Sequence, residues 1–374
     1  MSRLLALYLL LASGFAVYTY GFLDFNLTLS AHPTFLAVTR VLQQLVYYDR
    51  PHSALVYCLF MLALFGCYVL LIRRVSKGGG MRFPWRAYGV ILLLATLSYP
   101  LLSYDIFNYM FHGKILWVYH QNPHLHAPLE YSSDLWLRFM RWVHTPSAYG
   151  PAFTAVESLA YLLGLGKFVP VLYLMKLTMV SFFGGSVYLI GAIARELGWA
   201  KRRVVGAQML IAWNPFLLLE CGFNAHNDAV MIFFLLLSIY LLLCARRPAS
   251  VLALAVSIGV KYVTALALPM YFIRNTKYKV IVVVLALYLP ILASPGRFQP
   301  WYLVWPLLPA TLLSVPGRIR WLLLTSIAGA SYYVPYIATG FWNNSLPFVS
   351  LLLYGPLLVS LGTHLVRAKS KPSL

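Results

Sequence analysis

Long apolar blocks alternate with short basic segments along the whole chain. A helix needs roughly 20 apolar residues to cross a bilayer. Ten blocks approach that length: 4–22, 53–72, 87–103, 170–194, 204–222, 229–244, 279–293, 303–316, 320–338 and 347–366. The first begins Met-Ser-Arg and stays apolar for longer than a signal-peptide core. It ends with no small-x-small cleavage site, so a retained first span entering from the cytoplasmic side is expected.

The basic segments set the expected orientation. They are Arg3; Arg73, Arg74, Lys77, Arg82 and Arg86; Arg195, Lys201, Arg202 and Arg203; Arg246 and Arg247; Arg274, Lys277 and Lys279; Arg318 and Arg320; and Arg367, Lys369 and Lys371. Placing all of them in the cytoplasm satisfies the positive-inside rule at every loop and puts both termini there. The apolar stretches 151–166 and 249–273 must then leave and return on the same side, as re-entrant or broken hairpins. Non-helical backbone at that depth is tolerated only beside protein or a water-filled cavity, so both are expected to line one. The expectation is an all-α polytopic membrane protein. It has about ten transmembrane helices, two re-entrant or broken hairpins and short interfacial helices, in a single domain over 1–374 with an outer-face loop at 104–150.

Composition agrees. Of 374 residues 61% are hydrophobic and 10% charged, against about 25% charged in soluble domains. The net charge of +20 would suggest nucleic acid in a soluble protein. Here it is a topology signal, and no nucleic-acid partner is expected. The map leaves nine cations and eight of the nine acids on the outer half, Glu196 being the exception, with every histidine outside except His364. The four cysteines, Cys58, Cys67, Cys221 and Cys244, show neither metal spacing nor a disulfide framework. No phosphate-binding glycine loop and no His/Cys metal motif is present, so energy for a reaction must come from an activated substrate.

The outer segments hold the candidate chemistry. From Asp105 the pattern is helical to about His120, with Asp105, Asn108, His112 and Tyr119 on one face. An acid at the membrane boundary heading a polar stripe is a functional candidate; a solvated face begun by an N-terminal acid is the plainer alternative. Residues 133–145, with Trp136, Phe139, Met140 and Trp142 around Arg138 and Arg141, read as an interfacial helix without a chemical role. Glu157 needs a buried partner that the sequence does not name. Glu220 to Asp228 read as a tight outward turn, in which Asn224, His226, Asn227 and Asp228 can orient sugar hydroxyls or simply cap helices. Lys261, beside Tyr262 in mid-hairpin, suits a lipid phosphate. Near Arg297, the aromatic residues Trp301, Tyr302 and Trp305 fit an interfacial belt or a sugar-stacking platform.

Tyr104-Asp105 with Tyr109, Gly113-Lys114 and Asn122-Pro123 resembles the first-loop signature of membrane-integral GT-C glycosyltransferases. Tyr149-Gly150-Pro151, Trp213-Asn214-Pro215, Asn224 to Asp228, Lys261-Tyr262 and Pro300-Trp301-Tyr302 follow in the order of polyprenol-phosphate-mannose-dependent mannosyltransferases, distantly the catalytic subunit of GPI mannosyltransferase I. The likeness covers about residues 100–305. It implies an inverting transfer of mannose, or another hexose, from polyprenyl (dolichyl) phosphate to a lipid-linked or glycan acceptor at the outer face. Asp105 would be the general base, and Lys261, Lys176 or Arg297 would steady the leaving phosphate. Where some relatives carry Asp-x-Asp, position 107 is Phe, and neither a divalent metal nor another cofactor is expected. Broken helices and buried cations also fit a lipid or sugar transporter or flippase, but the two related halves usual there are missing.

Overall fold

The computed structural model describes residues 2–78 and 82–369, with side chains described as far as residue 363. The side chains of His364, Arg367 and Lys369, and residue Lys371, lie outside the described residues. Among those residues there are sixteen α-helices and no strand. They are α1 (Ser2–Thr19), α2 (Pro33–Gln43), α3 (Arg50–Lys77), α4 (Trp85–Leu97), α5 (Asp105–Trp117), α6 (Pro151–Leu163), α7 (Phe168–Glu196) and α8 (Lys201–Ala212). Then come α9 (Pro215–Leu218), α10 (Asp228–Leu243), α11 (Arg247–Val260), α12 (Thr276–Ala293), α13 (Val304–Ala310), α14 (Arg318–Ser331), α15 (Tyr333–Thr339) and α16 (Leu346–Lys369).

The segments Ser2–Phe22, Arg50–Lys77, Phe168–Glu196, Thr276–Ala293 and Leu346–Thr363 have the length and apolarity of membrane spans. Their outward faces carry exposed Leu55, Leu59 and Leu62 on α3 and Leu351, Leu358 and Leu361 on α16, an apolar surface suited to lipid. The protein is therefore an all-helical, polytopic membrane protein. Several expected spans are shorter or broken. The block at 204–222 is α8 and α9 bent by 52° at Trp213-Asn214, because Pro215 cannot continue the hydrogen-bond ladder. Asn214 caps the new helix by accepting from the Phe216 and Leu217 N–H groups at 3.0 and 3.3 Å. The carbonyls freed by the break are satisfied from other helices: Tyr8 donates to Trp213 O and Tyr68 to Leu210 O, each at 2.9 Å. The block at 303–316 is reduced by Pro306 and Pro309 to the seven-residue α13, and 320–338 divides into α14 and α15.

The two expected hairpins differ. Residues 151–163 form one unbroken helix, α6, which packs beside α5 and turns directly into α7. The hairpin expectation fails there, because a Pro at N1 and no interior breaker make a single short helix. Residues 247–272 do turn back. α11 ends at Lys261, whose backbone is extended, and a 3₁₀ stretch, Tyr262–Phe272, returns to place the Tyr271 hydroxyl 2.8 Å from Ser250 Oγ.

Among the described residues, cations from several basic segments gather at one end of the bundle. There Arg203 and Arg318 both lie over the Trp199 ring, and Arg82, Arg195 and Lys201 share a cavity. Asp105 lies at the opposite end, where α10 starts and α11 stops.

Candidate active site

The site is built where helices begin and end. Residues 98–104 run without helix between α4 and α5, pinned by the Tyr99 N–H on Thr19 Oγ1 at 3.0 Å and the Leu102 N–H on Asn224 Oδ1 at 3.1 Å. Asp105 then opens α5, where an acid in the first turn is favoured by the macrodipole. Gly113 lets α6 come close, since a Cβ there would stand 2.9 Å from Glu157 O. Gly150 does the same for α11. Its added Cβ would stand 2.2 Å from Gly259 O, and its N–H donates to Val260 O at 3.1 Å. That contact brings Tyr149 and Lys261 to one cavity.

The Asp105 side chain is 10% exposed. Its Oδ1 accepts from the Trp142 indole at 3.1 Å and its Oδ2 from the Tyr149 hydroxyl at 3.5 Å. His226 Nδ1 stands 3.6 Å from Oδ2, and His226 Nε2 stands 3.2 Å from Glu220 Oε2, which makes electrostatic pairs without hydrogen-bond alignment. Glu220 Oε1 accepts from Tyr333 at 2.8 Å. Burial favours the neutral acid, but His226 first, then Lys261 and Trp142, hold the Asp105 carboxyl below its ordinary value. Burial opposes charge on His226 too, yet Asp105 and Glu220 raise its pKa to about 9. The site therefore keeps an ionised carboxylate beside an imidazolium at neutral pH.

Lys261 stands at the tip of the hairpin. Its ammonium donates to Asp228 Oδ1 at 2.8 Å and approaches Asn227 Oδ1 at 3.5 Å, over the rings of Trp305 and Tyr302 at 5.4 and 5.7 Å. The Trp305 indole donates to the same Asp228 oxygen. One of the three ammonium donors stays available to a ligand.

Two cavities meet at Asp105. One of about 380 Å³ is lined by Asn108, His112, Tyr149, Lys261 and Tyr302. The other, about 450 Å³, is lined by Arg50, Tyr104, Arg141, Tyr332, Tyr336 and Trp342. Asp105, Trp142, Gln299 and Trp301 belong to both and form the shared wall.

Of the residues expected from the sequence, Asp105, Asn108, His112, His226, Lys261, Trp301 and Tyr302 converge here. Asn108 Nδ2 donates to Trp142 O at 2.8 Å. His112 supplies the partner missing for Glu157, Nδ1 to Oε1 at 3.0 Å. Glu220, Asn224, Asn227 and Asp228 are fully buried behind the cavity wall, so the expected outward turn is an interior one, with a left-handed Ala225 at φ 57°. Four expectations fall elsewhere. Lys114 pairs with Asp134 at 2.5 Å, and Lys176 is buried in α7, donating to Ser98 Oγ and Phe223 O at 3.0 and 2.9 Å. Tyr262 points outward at 59% exposure, and Arg297 lines neither cavity. Tyr119 leaves the expected stripe because α5 stops at Trp117, and its hydroxyl bonds Asp134 at 2.7 Å.

The segment 133–145, expected as an interfacial helix, reaches the Asp105 cavity through Trp142. Only Leu135–Phe139 is helical, as a 3₁₀ turn, and the irregular backbone beyond it turns Trp142 onto Asp105. Sequence reasoning assigned no role to Trp142, Arg141, Arg50, Gln299, Tyr149 or the Tyr332–Trp342 aromatic set. The Tyr149-Gly150-Pro151 signature was the one signal pointing at any of them.

A buried carboxylate, a lysine and aromatic walls thus meet at one end of a polytopic bundle. The comparison with known families is specific about the class. A family model described as alpha-(1→6)-mannopyranosyltransferase, N-terminal domain, matches residues 12–276, and the chain belongs to that mannosyltransferase family. No curated protein and no solved structure matches the chain. The match includes Asp105 and Lys261, whereas Gln299, Trp301 and the aromatic set at 332–342 lie beyond it.

Proposed function

We propose that the protein transfers mannose from a polyprenyl-phosphate mannose to a lipid-linked or glycan acceptor, with inversion, at the outer membrane face. The observation that carries this is Asp105, the one acid lining both of two cavities of different character. The smaller cavity, with Lys261, takes the donor phosphate. The larger, with Arg50, Arg141, Tyr332, Tyr336 and Trp342, takes the acceptor sugar, whose apolar faces stack on aromatic rings.

Asp105 accepts the proton of the acceptor hydroxyl as its oxygen attacks the anomeric carbon. The bond from that carbon to the phosphate oxygen breaks, and the polyprenyl phosphate leaves as an anion beside the Lys261 ammonium. One base suffices for a single displacement, whereas retention would call for a second carboxylate about 5 Å away. Inversion gives an alpha product from a beta-linked donor, in keeping with the linkage in the family description. The charge of Asp105 is balanced by His226 and Lys261, and a phosphomonoester leaving group needs no second charge clamp, so turnover is expected to persist in EDTA. The basic end faces the cytoplasm in this scheme, as the positive-inside rule requires.

The test uses purified protein in liposomes with labelled polyprenyl-phosphate mannose and a mannoside acceptor. Asp105→Asn should lower turnover by about 10²–10⁴-fold while the thermal transition stays in place. Wild-type-level transfer by that variant would remove Asp105 from the reaction. Movement of lipid without a new glycosidic bond would make the protein a transporter instead.

A further inference from the structure

A cavity of about 630 Å³ at the basic end takes no part in the reaction above. Arg82 stands at the entry to α4, Arg195 in the last turn of α7 and Lys201 in the first turn of α8, all three facing the same space. Among the described residues none of them is in an ion pair, and neither is Glu196, the acid beside Arg195 in sequence. Glu196 lines a separate neighbouring cavity. Ala200 gives α8 no side-chain cap, so the helix adds uncapped N–H groups to the same positive field. Three cations held together without an acid repel one another and call for an anion.

The rest of the lining says which anion. Trp85 and Tyr188, whose rings lie 6.5 Å apart, are the residue types that settle at the headgroup level of a bilayer. Phe83 and Val204 give the cavity an apolar floor. Positive charge, aromatic rim and apolar floor together match a lipid phosphate with its first acyl carbons better than a free ion. We propose that this cavity binds the phosphodiester headgroup of an anionic phospholipid. The proposal needs only that the basic end lies at a membrane surface, and it stands or falls apart from the donor and mechanism above.

Native mass spectrometry of the full chain released from detergent tests it. Phosphatidylglycerol, phosphatidylcholine and inorganic phosphate serve as probes. Wild-type protein should retain phosphatidylglycerol over phosphatidylcholine, and Arg82→Gln, Arg195→Gln and Lys201→Gln should each reduce that preference by about fivefold. Arg195→Gln changes an exposed side chain at a helix end, so it keeps the test available if either of the other variants misfolds. Mannose transfer should survive in these variants. Equal retention of the two lipids, a preference unaltered in the variants, or displacement of the lipid by millimolar inorganic phosphate would each overturn the proposal.

Discussion

His226 lies between Asp105 and Glu220, with its ring stacked on Trp301 at 4.4 Å and a tilt of 24°. The unfolded imidazole titrates near 6.5, and the folded one is raised to about 9. The sign follows from linkage: a raised folded pKa adds stability that is complete below about 6.5 and is lost as pH rises through about 9. Asp105 works in the opposite direction. Its lowered pKa adds stability above the ordinary carboxylate range, lost only in stronger acid. Thermal melts in detergent should therefore show the wild type weakening between about pH 6.5 and 9, and His226→Gln should flatten that slope. A wild-type melting temperature constant across the window would mean that His226 is neutral in the fold.

At the scale of elements, the approach of α6 to α11 sets the width of the smaller cavity. Gly150 meets backbone at Gly259, whereas a Cβ on Gly259 would meet only the Ala152 methyl at 3.0 Å. The Ala152 methyl is as fixed as backbone, so the difference between the two sites is distance, 2.2 Å at Gly150 against 3.0 Å at Gly259. Gly150→Ala should cost about 1–3 kcal/mol and lower transfer, with Gly259→Ala clearly milder in both. Thermal stability and turnover of the pair check the order, and the reverse order would show that this contact does not hold the site.

The same elements show what a sequence can tell. α3 and α7 were legible because uninterrupted apolar runs of that length have one outcome in a bilayer. The break at Trp213-Asn214-Pro215 left a weaker trace, since proline marks a bend without giving its direction. α2 and the Gln44–Tyr48 π-turn, which lead the chain into Arg50, left no trace that was read. Asp105 stood out as an acid in an apolar setting. Trp142, Gln299 and Arg50 did not, because they join Asp105 from three distant segments, and a lone tryptophan near a membrane reads equally well as a belt residue. Only packing distinguishes the two.

For the whole molecule, the charge excess that marked topology in the sequence becomes a division of labour in the fold. Among the described residues, one end collects cations outside any ion pair, and the other pairs Asp105 with His226 and Asp228 with Lys261 beside two cavities. The bundle between them is joined through tyrosine hydroxyls on helix carbonyls, among them Tyr57 on Ala330 O at 2.9 Å, so the ends are linked by rigid contacts rather than by loops.

Trp142, Gln299 and Trp301 line both cavities, so on the proposed assignment of donor and acceptor the two substrates share one wall. Coupling of this kind is reciprocal at equilibrium. If an acceptor mannoside tightens an unreactive donor analogue by some factor, the analogue must tighten the mannoside by the same factor. Titrations of Asp105→Asn with the mannoside and the unreactive donor analogue should return matching ratios. Substitution of Gln299 by Ala should bring both ratios toward one together. A wall with two faces would thus tie the filling of one cavity to the filling of the other, and ratios of one in the wild type would show that it does not.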